Sequence, residues 1–194
     1  MDNNIDYYEN NAQKYMSDTM NLNTSDLITQ FESFGLKDGG LILDAGCGPG
    51  RDVIQFLQRG YQVEALDACS SFCDMCSHST GIVARHMTFD QLNECDRFDG
   101  IWACASLVHL VDHHKFDSSI LALRRALKPD GLFYASFTYG TGFKRTPSGR
   151  DFIQFDAARA AEVMFSLGLN VVGDWVSYDA MGRGSWLNLV MRKF

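Results

Sequence analysis

Residues 41–52, "LILDAGCGPGRD", carry the reading that decides the fold. Three aliphatic residues make a short buried strand. Glycines then recur at 46, 48 and 50, and a helix begins at about Arg51, with the amphipathic "DVIQFLQR" (52–59) stopping at Gly60. Glycine lets the backbone turn sharply and lets a ligand approach closely. A strand, a glycine-rich turn and a helix N-terminus in that order form a seat for the polar end of a nucleotide-derived cofactor.

A glycine-rich loop alone is a weak signal, and the next strand strengthens it. "YQVEAL" (61–66) ends at Asp67, an acid placed to accept both ribose hydroxyls of an adenosine cofactor. The glycine spacing argues against a dinucleotide. A pyrophosphate seat needs G-x-G-x-x-G, whereas here the spacing is G-x-G-x-G and residue 51 is Arg. Asp44, directly ahead of the glycines, would repel a pyrophosphate and suits a ligand bearing an ammonium and a sulfonium.

Around this unit the chain reads as one domain, residues 1–194. The first 38 residues form a helical cover, with Leu27, Ile28, Phe31 and Phe34 at helix spacing. "DGG" (38–40) breaks the chain, and residues 40–138 alternate strands with helices. "GIVARHM" (81–87), "FDGIWACA" (98–105) and "LFYASFTY" (132–139) read as strands, and "FDSSILALRRAL" (116–127) as a helix stopped by "KPDG". Residues 139–194 are the variable part. In it "GTGFKRTPSGRD" (140–151) reads as a long loop, a helix follows at 156–167, and "LNVVGDWVSY" (169–178) and "WLNLVMRK" form a hairpin across a turn at 182–184. The alternation predicts an α/β fold: a doubly wound, mostly parallel sheet with helices on both faces and an antiparallel strand at one edge.

Four segments in order resemble the class I S-adenosylmethionine (SAM)-dependent methyltransferases: "LILDAGCGPGRD", "VEALDACSSF", "FDGIWACASLVHL" and "ALRRALKPDGLFYASF". The nearest flavour is the small bacterial tellurite-resistance-like, small-molecule group. The resemblance implies a seven-stranded sheet with a reversed last strand and SAM as cofactor. It places Asp44 and Gly46 at the methionine end of SAM, leaves room beside Gly48, and puts Asp67 on the ribose. Ala68 and Phe72 flank the adenine, Met87 and Thr88 meet its edge, and Cys104 or Ala103 offers a carbonyl to the ammonium. Arg51 pairs with the carboxylate, and Tyr15 closes over the cofactor. Where the family often has an acid to read the adenine amino group, this chain has Met87, with Asp90 the nearest substitute.

Methyl transfer from a sulfonium is an in-line displacement that needs alignment and exclusion of water more than a catalytic side chain. His109 is the candidate base or acceptor ligand, and Ser106 bonds either SAM or the backbone. Tyr7, Tyr8, Phe137, Tyr139, Phe143, Arg145, Arg150, Phe152, Tyr178 and Trp186 are the acceptor-side candidates, the two arginines as anion holders. With 17 basic against 24 acidic residues, a net charge of −7 and no "NPPY"-like sequence, nucleic acid is not an expected partner. No apolar run approaches a membrane span. The expectation is a cytoplasmic monomer or homodimer acting on a small molecule. A non-catalytic SAM-binding protein and an NAD-dependent oxidoreductase are the alternatives.

Six cysteines in such a chain read as reduced thiols. Three lie in "CSSFCDMC" (69–76), a spacing also used to hold iron–sulfur clusters. Here Cys69, Cys73 and Cys76 fall on one face of a helix and read as a packing stripe, with no metal.

Overall fold

The computed structural model describes residues 3–178, 182 and 184–194. Five strands run parallel in the order β3-β2-β1-β4-β5: β1 (Leu41–Ala45), β2 (Gln62–Asp67), β3 (Arg85–His86), β4 (Phe98–Ala103) and β5 (Leu127–Tyr139). Beyond β5 lies β9 (Ser185–Lys193), antiparallel to it, and then β8 (Leu169–Tyr178), antiparallel to β9. These are the seven expected strands, with the final one in chain order reversed; among the described residues the sheet has nine, and the reversed strand lies between β5 and β8 rather than at the edge. Residue 183 of the turn between β8 and β9 lies outside the described residues.

Two further strands interrupt and follow the stretch 140–151 expected to be a loop. β6 (Gly142–Arg145) and β7 (Asp151–Phe155) form an antiparallel hairpin, and β7 pairs with the last two residues of β5. All four β6 residues are exposed, so no apolar alternation marks the strand in the sequence. Two boundaries also moved. The third strand keeps only two residues, because its helix runs to Thr80 and Gly81 is that helix's left-handed cap. β5 starts at Leu127, which pairs with Phe98 before a register shift; "KPDG" is the irregularity that tolerates Pro129.

Helices cover both faces, as the alternation requires. On one, Phe116, Ile120 and Leu123 of α5 (His113–Ala126) and Met164 of α6 (Ala157–Ser166) pack on Leu43, Ile101 and Phe133. On the other, Ile28 and Phe31 of α2 (Ser25–Ser33) and Val53 and Phe56 of α3 (Arg51–Gln58) pack on Ile42, Trp102 and Tyr134. Cys73 and Cys76 of α4 (Ser70–Thr80) join this second core, and Cys69, at the N-cap of α4, is buried beside Phe72. Only Cys73 and Cys76 thus form the expected packing stripe on the sheet; Cys69 packs instead with Phe72 and with Ala12 of the N-terminal helix. Among the described residues no group of three or more His, Cys, Asp or Glu is disposed to hold a metal ion.

The first helix, α1 (Asn3–Thr19), lies across the carboxyl end of the sheet and is fastened by polar contacts. Cys69 gives α4 no side-chain cap. Glu9 of α1 supplies it, accepting from the backbone N–H of Ser70 (2.5 Å) and Ser71 (3.3 Å) and from both hydroxyls. Burial alone would raise the Glu9 pKa, but these bonds lower it to about 2. A carboxyl depressed from 4.5 to about 2 stabilises fully above pH 4.5 and loses that contribution as pH falls through 2. Glu9→Ala is therefore expected to cost about 1 kcal/mol in urea unfolding at pH 7, the usual value of a helix cap. The difference from wild type should vanish near pH 2. An equal deficit at both pH values would contradict the cap.

Candidate active site

Two cavities open at the carboxyl ends of β1, β2 and β4, where ligands of open α/β sheets bind. The first, of about 250 Å³, is walled by Gly46, Gly48, Asp67, Ala68, Phe72, Met87 and Thr88, with Asp90 at its edge. The second, of about 400 Å³, is walled by Arg51, Tyr139, Arg150, Phe152 and Trp186. Tyr8, Tyr15, Cys104, Ala105 and His109 line both, so the cavities meet at a common wall.

Asp67 is the polar centre of the first cavity. Its Oδ2 accepts from the Gly48 N–H and its Oδ1 from the Cys69 N–H, each at 2.9 Å. Burial pushes its pKa up to about 6, against the lowering effect of the Cys69, Gly48 and Ala68 N–H groups. Gly48 has φ +52°, and a Cβ there would meet nothing nearer than Tyr15 at 3.9 Å. Gly46 is required for another reason. A Cβ on it would lie 2.3 Å from the Ser106 Cβ. Ser106 in turn donates to the Ala45 carbonyl at 2.7 Å, locking the loop after β4 against the glycine turn. Ser106 therefore serves the backbone, although it also lines the first cavity. The same loop holds Ala105 at φ +55°, a conformation that costs energy in a non-glycine residue, fixed by a bond from its N–H to Ser136 Oγ at 2.8 Å.

Two residues expected on the cofactor stand elsewhere. Asp44 is 2% exposed and lines neither cavity. Strand alternation turns it, like Ile42, towards the α3 side of the sheet. Its Oδ2 has no hydrogen-bond partner, and burial, then Asp52, push its pKa well above the carboxylate range. Arg51 lines the second cavity and is held by Asp52 through Nε (2.7 Å) and Nη2 (2.8 Å). Asp52 also accepts from Thr24 Oγ1 (2.7 Å) and Trp102 Nε1 (2.9 Å), so its oxygens are fully engaged.

On the acceptor side, Tyr139, Arg150, Phe152, Tyr178 and Trp186 line the second cavity. Arg145 does not; it points away and grips Asp151 with both oxygens, at 2.8 and 2.7 Å. Phe137 is core, and Phe143 lies outside the wall, beside His113. The sequence reading missed Asn4 and Glu9. Asn4 donates to the carbonyls of His109 (3.1 Å) and Asp151 (3.0 Å) and accepts from the Asp151 N–H (3.0 Å), pinning α1 over both cavities. No local signal distinguishes one Asn in "MDNNIDYYENN" from the others.

His109, in the shared wall, is engaged by Tyr8. Tyr8 Oη lies 2.9 Å from His109 Nε2, and Arg150 Nη1 donates to the same oxygen at 3.1 Å. The Tyr8 hydroxyl can donate to Nε2 or accept from it according to the imidazole tautomer, and Nδ1 is buried with no hydrogen-bond partner among the described residues. Burial, then the Arg150 charge, push the His109 pKa down to about 4. The imidazole is therefore neutral at pH 7, with Nε2 against the Tyr8 hydroxyl and Nδ1 buried.

Residues 42–131 match the family described as the methyltransferase domain. No curated protein matches the chain. Among solved structures, the 1,6-didemethyltoxoflavin-N1-methyltransferase of Burkholderia thailandensis, crystallised with 1,6-didemethyltoxoflavin and S-adenosylhomocysteine (SAH), superposes with a TM-score of 0.78 at 20% identity over 97% of this chain and 84% of that one. The magnesium protoporphyrin IX methyltransferase of Synechocystis PCC 6803, with bound SAH, gives 0.75 at 16% identity over 97% of each. The 4+2 cyclase SpnF gives 0.69 at 17% identity over 87% of this chain and 78% of that one. The fold is that of these structures, and the segment that matches the methyltransferase domain spans β1 to the start of β5.

The burial of His109 can be tested directly. Nitrogen-15 NMR of the His109 ring, assigned with His109→Asn, should show a neutral imidazole at pH 7 and a midpoint near pH 4. A midpoint near 6.5 would contradict the buried Tyr8 contact.

Proposed function

We propose that this chain is a SAM-dependent methyltransferase acting on a small-molecule acceptor. One observation carries the proposal: an Asp67-centred cavity and a larger aromatic cavity share the wall of Tyr8, Tyr15, Cys104, Ala105 and His109. The first cavity suits an adenosine-type cofactor. Each Asp67 oxygen accepts one backbone N–H and keeps lone pairs for the two ribose hydroxyls, while Phe72, Met87 and Thr88 form the wall for an adenine. When bound, SAM supplies an electrophilic methyl group on a sulfonium. The chain's own part is orientation and exclusion of water. Tyr8 and Tyr15, whose rings stand 5.2 Å apart edge to face, close the junction from α1. His109 holds Tyr8 in place, a positioning role rather than that of a free base. Asp52 fixes Arg51 as part of the second cavity's wall.

The tellurite-resistance-like subgroup is supported by the sequence resemblance alone. The acidic charge supports a partner other than nucleic acid, and no helix among the described residues is long and apolar enough to cross a membrane. We take the protein to be cytoplasmic, as a monomer or homodimer. The likeness to a cyclase shows that this fold houses more than one chemistry. Release of SAH from SAM in the presence of a metabolite extract separates an enzyme from a silent SAM binder.

Calorimetry tests the cofactor. SAH should bind and NAD should not. Asp67→Ala should weaken SAH by about 1.5–3 kcal/mol, the value of hydrogen bonds to a charged group, or roughly 10- to 150-fold. In the wild type, affinity should decline as pH falls through about 6, because a protonated Asp67 no longer accepts both hydroxyls. Binding of NAD, or unchanged SAH affinity in Asp67→Ala, would overturn the assignment.

A further inference from the structure

We infer that the acceptor is an aromatic carboxylate, its anionic group held by Arg150 and Lys144 in the second cavity; this rests on the methyltransferase reading above. In a chain of net charge −7, that cavity carries, among the described residues, the arginine and lysine side chains of Arg51, Lys144 and Arg150 against one acid, Asp26. Arg51 is neutralised by Asp52. Neither Lys144 nor Arg150 forms an ion pair with a carboxylate among the described residues. Arg145, adjacent to Lys144 on the same hairpin, faces out and is paired with Asp151. The hairpin thus sorts its basic residues: the outward one is satisfied within the protein, and the two that reach the cavity are left to a ligand.

Arg150 is built rather than merely exposed. Its guanidinium lies over the rings of Tyr7 (4.9 Å), Tyr8 (5.7 Å) and Phe152 (5.4 Å). Its side chain makes two hydrogen bonds, from Nη1 to Tyr8 Oη and from Nε to Ser148 Oγ at 3.3 Å. A guanidinium has five N–H donors, so most of the planar fork remains for a carboxylate, which it matches bidentately. The backbone beneath is fixed as well. Thr146 N–H donates to the Arg150 carbonyl at 2.8 Å, and the Arg150 N–H donates to Thr146 Oγ1 at 3.1 Å.

The aromatic half of the inference comes from the rings that complete the wall. Tyr139 and Tyr178 remain 48% and 88% exposed there, the half-buried Trp186 stands with them, and Phe152, 8% exposed, lies beneath the Arg150 guanidinium. Exposed rings around a concave site offer stacking surface for a planar molecule. Arg150 also bonds Tyr8, which reaches the shared wall, so a molecule anchored by its carboxylate lies against the junction with the cofactor cavity.

The test uses wild-type protein saturated with SAH, its binding first confirmed by calorimetry. Benzoate, 4-hydroxybenzoate and 2-naphthoate are titrated beside their neutral amides and followed by ligand-observed NMR. At least one carboxylate should bind tenfold or more tightly than its amide. Arg150→Gln and Lys144→Gln should each cut that preference at least threefold, the double variant should abolish it, and Arg145→Gln should leave it intact. Lys144 lies on an exposed strand, so its variant reads out even if Arg150→Gln folds poorly. Equal binding of carboxylates and amides, no binding by any of the three carboxylates, or a preference that survives the double variant would overturn the inference. Failure of SAH itself to bind would instead strike the cofactor reading, and this inference with it.

Discussion

The Asp52 carboxylate is the contact on which the rest of the site depends. It is buried, and its two oxygens accept from Thr24, Arg51 and Trp102, residues of three different segments of the chain. Burying a carboxylate is expensive, and the surrounding donors, with the Arg51 charge foremost, keep its pKa below the ordinary value despite that cost. The network extends further. Trp102 stacks on Tyr134 at 3.9 Å with the rings 12° apart, and the Tyr134 hydroxyl donates to Asn188 Oδ1 of β9 at 2.7 Å. One connected set of polar and ring contacts therefore runs from the entry to α2, across α3, β4 and β5, to the reversed strand. Such a network fixes a unique core arrangement when all its members are satisfied.

The groups nearest the cavities are less comfortable. Asp44 is buried with an oxygen unpartnered, Asp67 titrates near 6, and Ala105 sits in a left-handed conformation. Each opposes folding, and all three adjoin the glycine turn or the loop after β4. Strain of this kind persists only where surrounding structure over-determines it, here through the Ser106–Ala45 and Ala105–Ser136 bonds. The well-satisfied Asp52 network and these poorly satisfied groups beside the glycine turn lie within a few residues of each other. Stability concentrated in the first supports the second.

Much of this was legible in the sequence because it rests on short-range chemistry. A buried aliphatic run, alternate glycines and an acid ending the next strand require only local spacing, and they located β1, the turn and Asp67. The stripe of Cys73 and Cys76 followed from helical periodicity. What escaped the sequence depends on partners distant in the chain. Glu9 caps a helix more than sixty residues away, and Asn4 binds Asp151 across 147 positions. β6 is exposed throughout and so has no hydrophobic pattern, which also concealed that Arg145 turns outward while Arg150 turns in. Asp44 was misplaced for the opposite reason: its position beside the glycines suggested contact, but strand alternation turns it to the other face.

The central claim is that the two cavities are the cofactor and acceptor halves of one site joined at the Tyr8–Tyr15–Cys104–His109 wall. A crystal structure of the protein with SAH tests it most directly. The expected result has the ribose hydroxyls on the Asp67 carboxylate and the sulfur facing the shared wall. SAH seated in the larger cavity, or bound with its sulfur turned away from Tyr15 and Cys104, would contradict it.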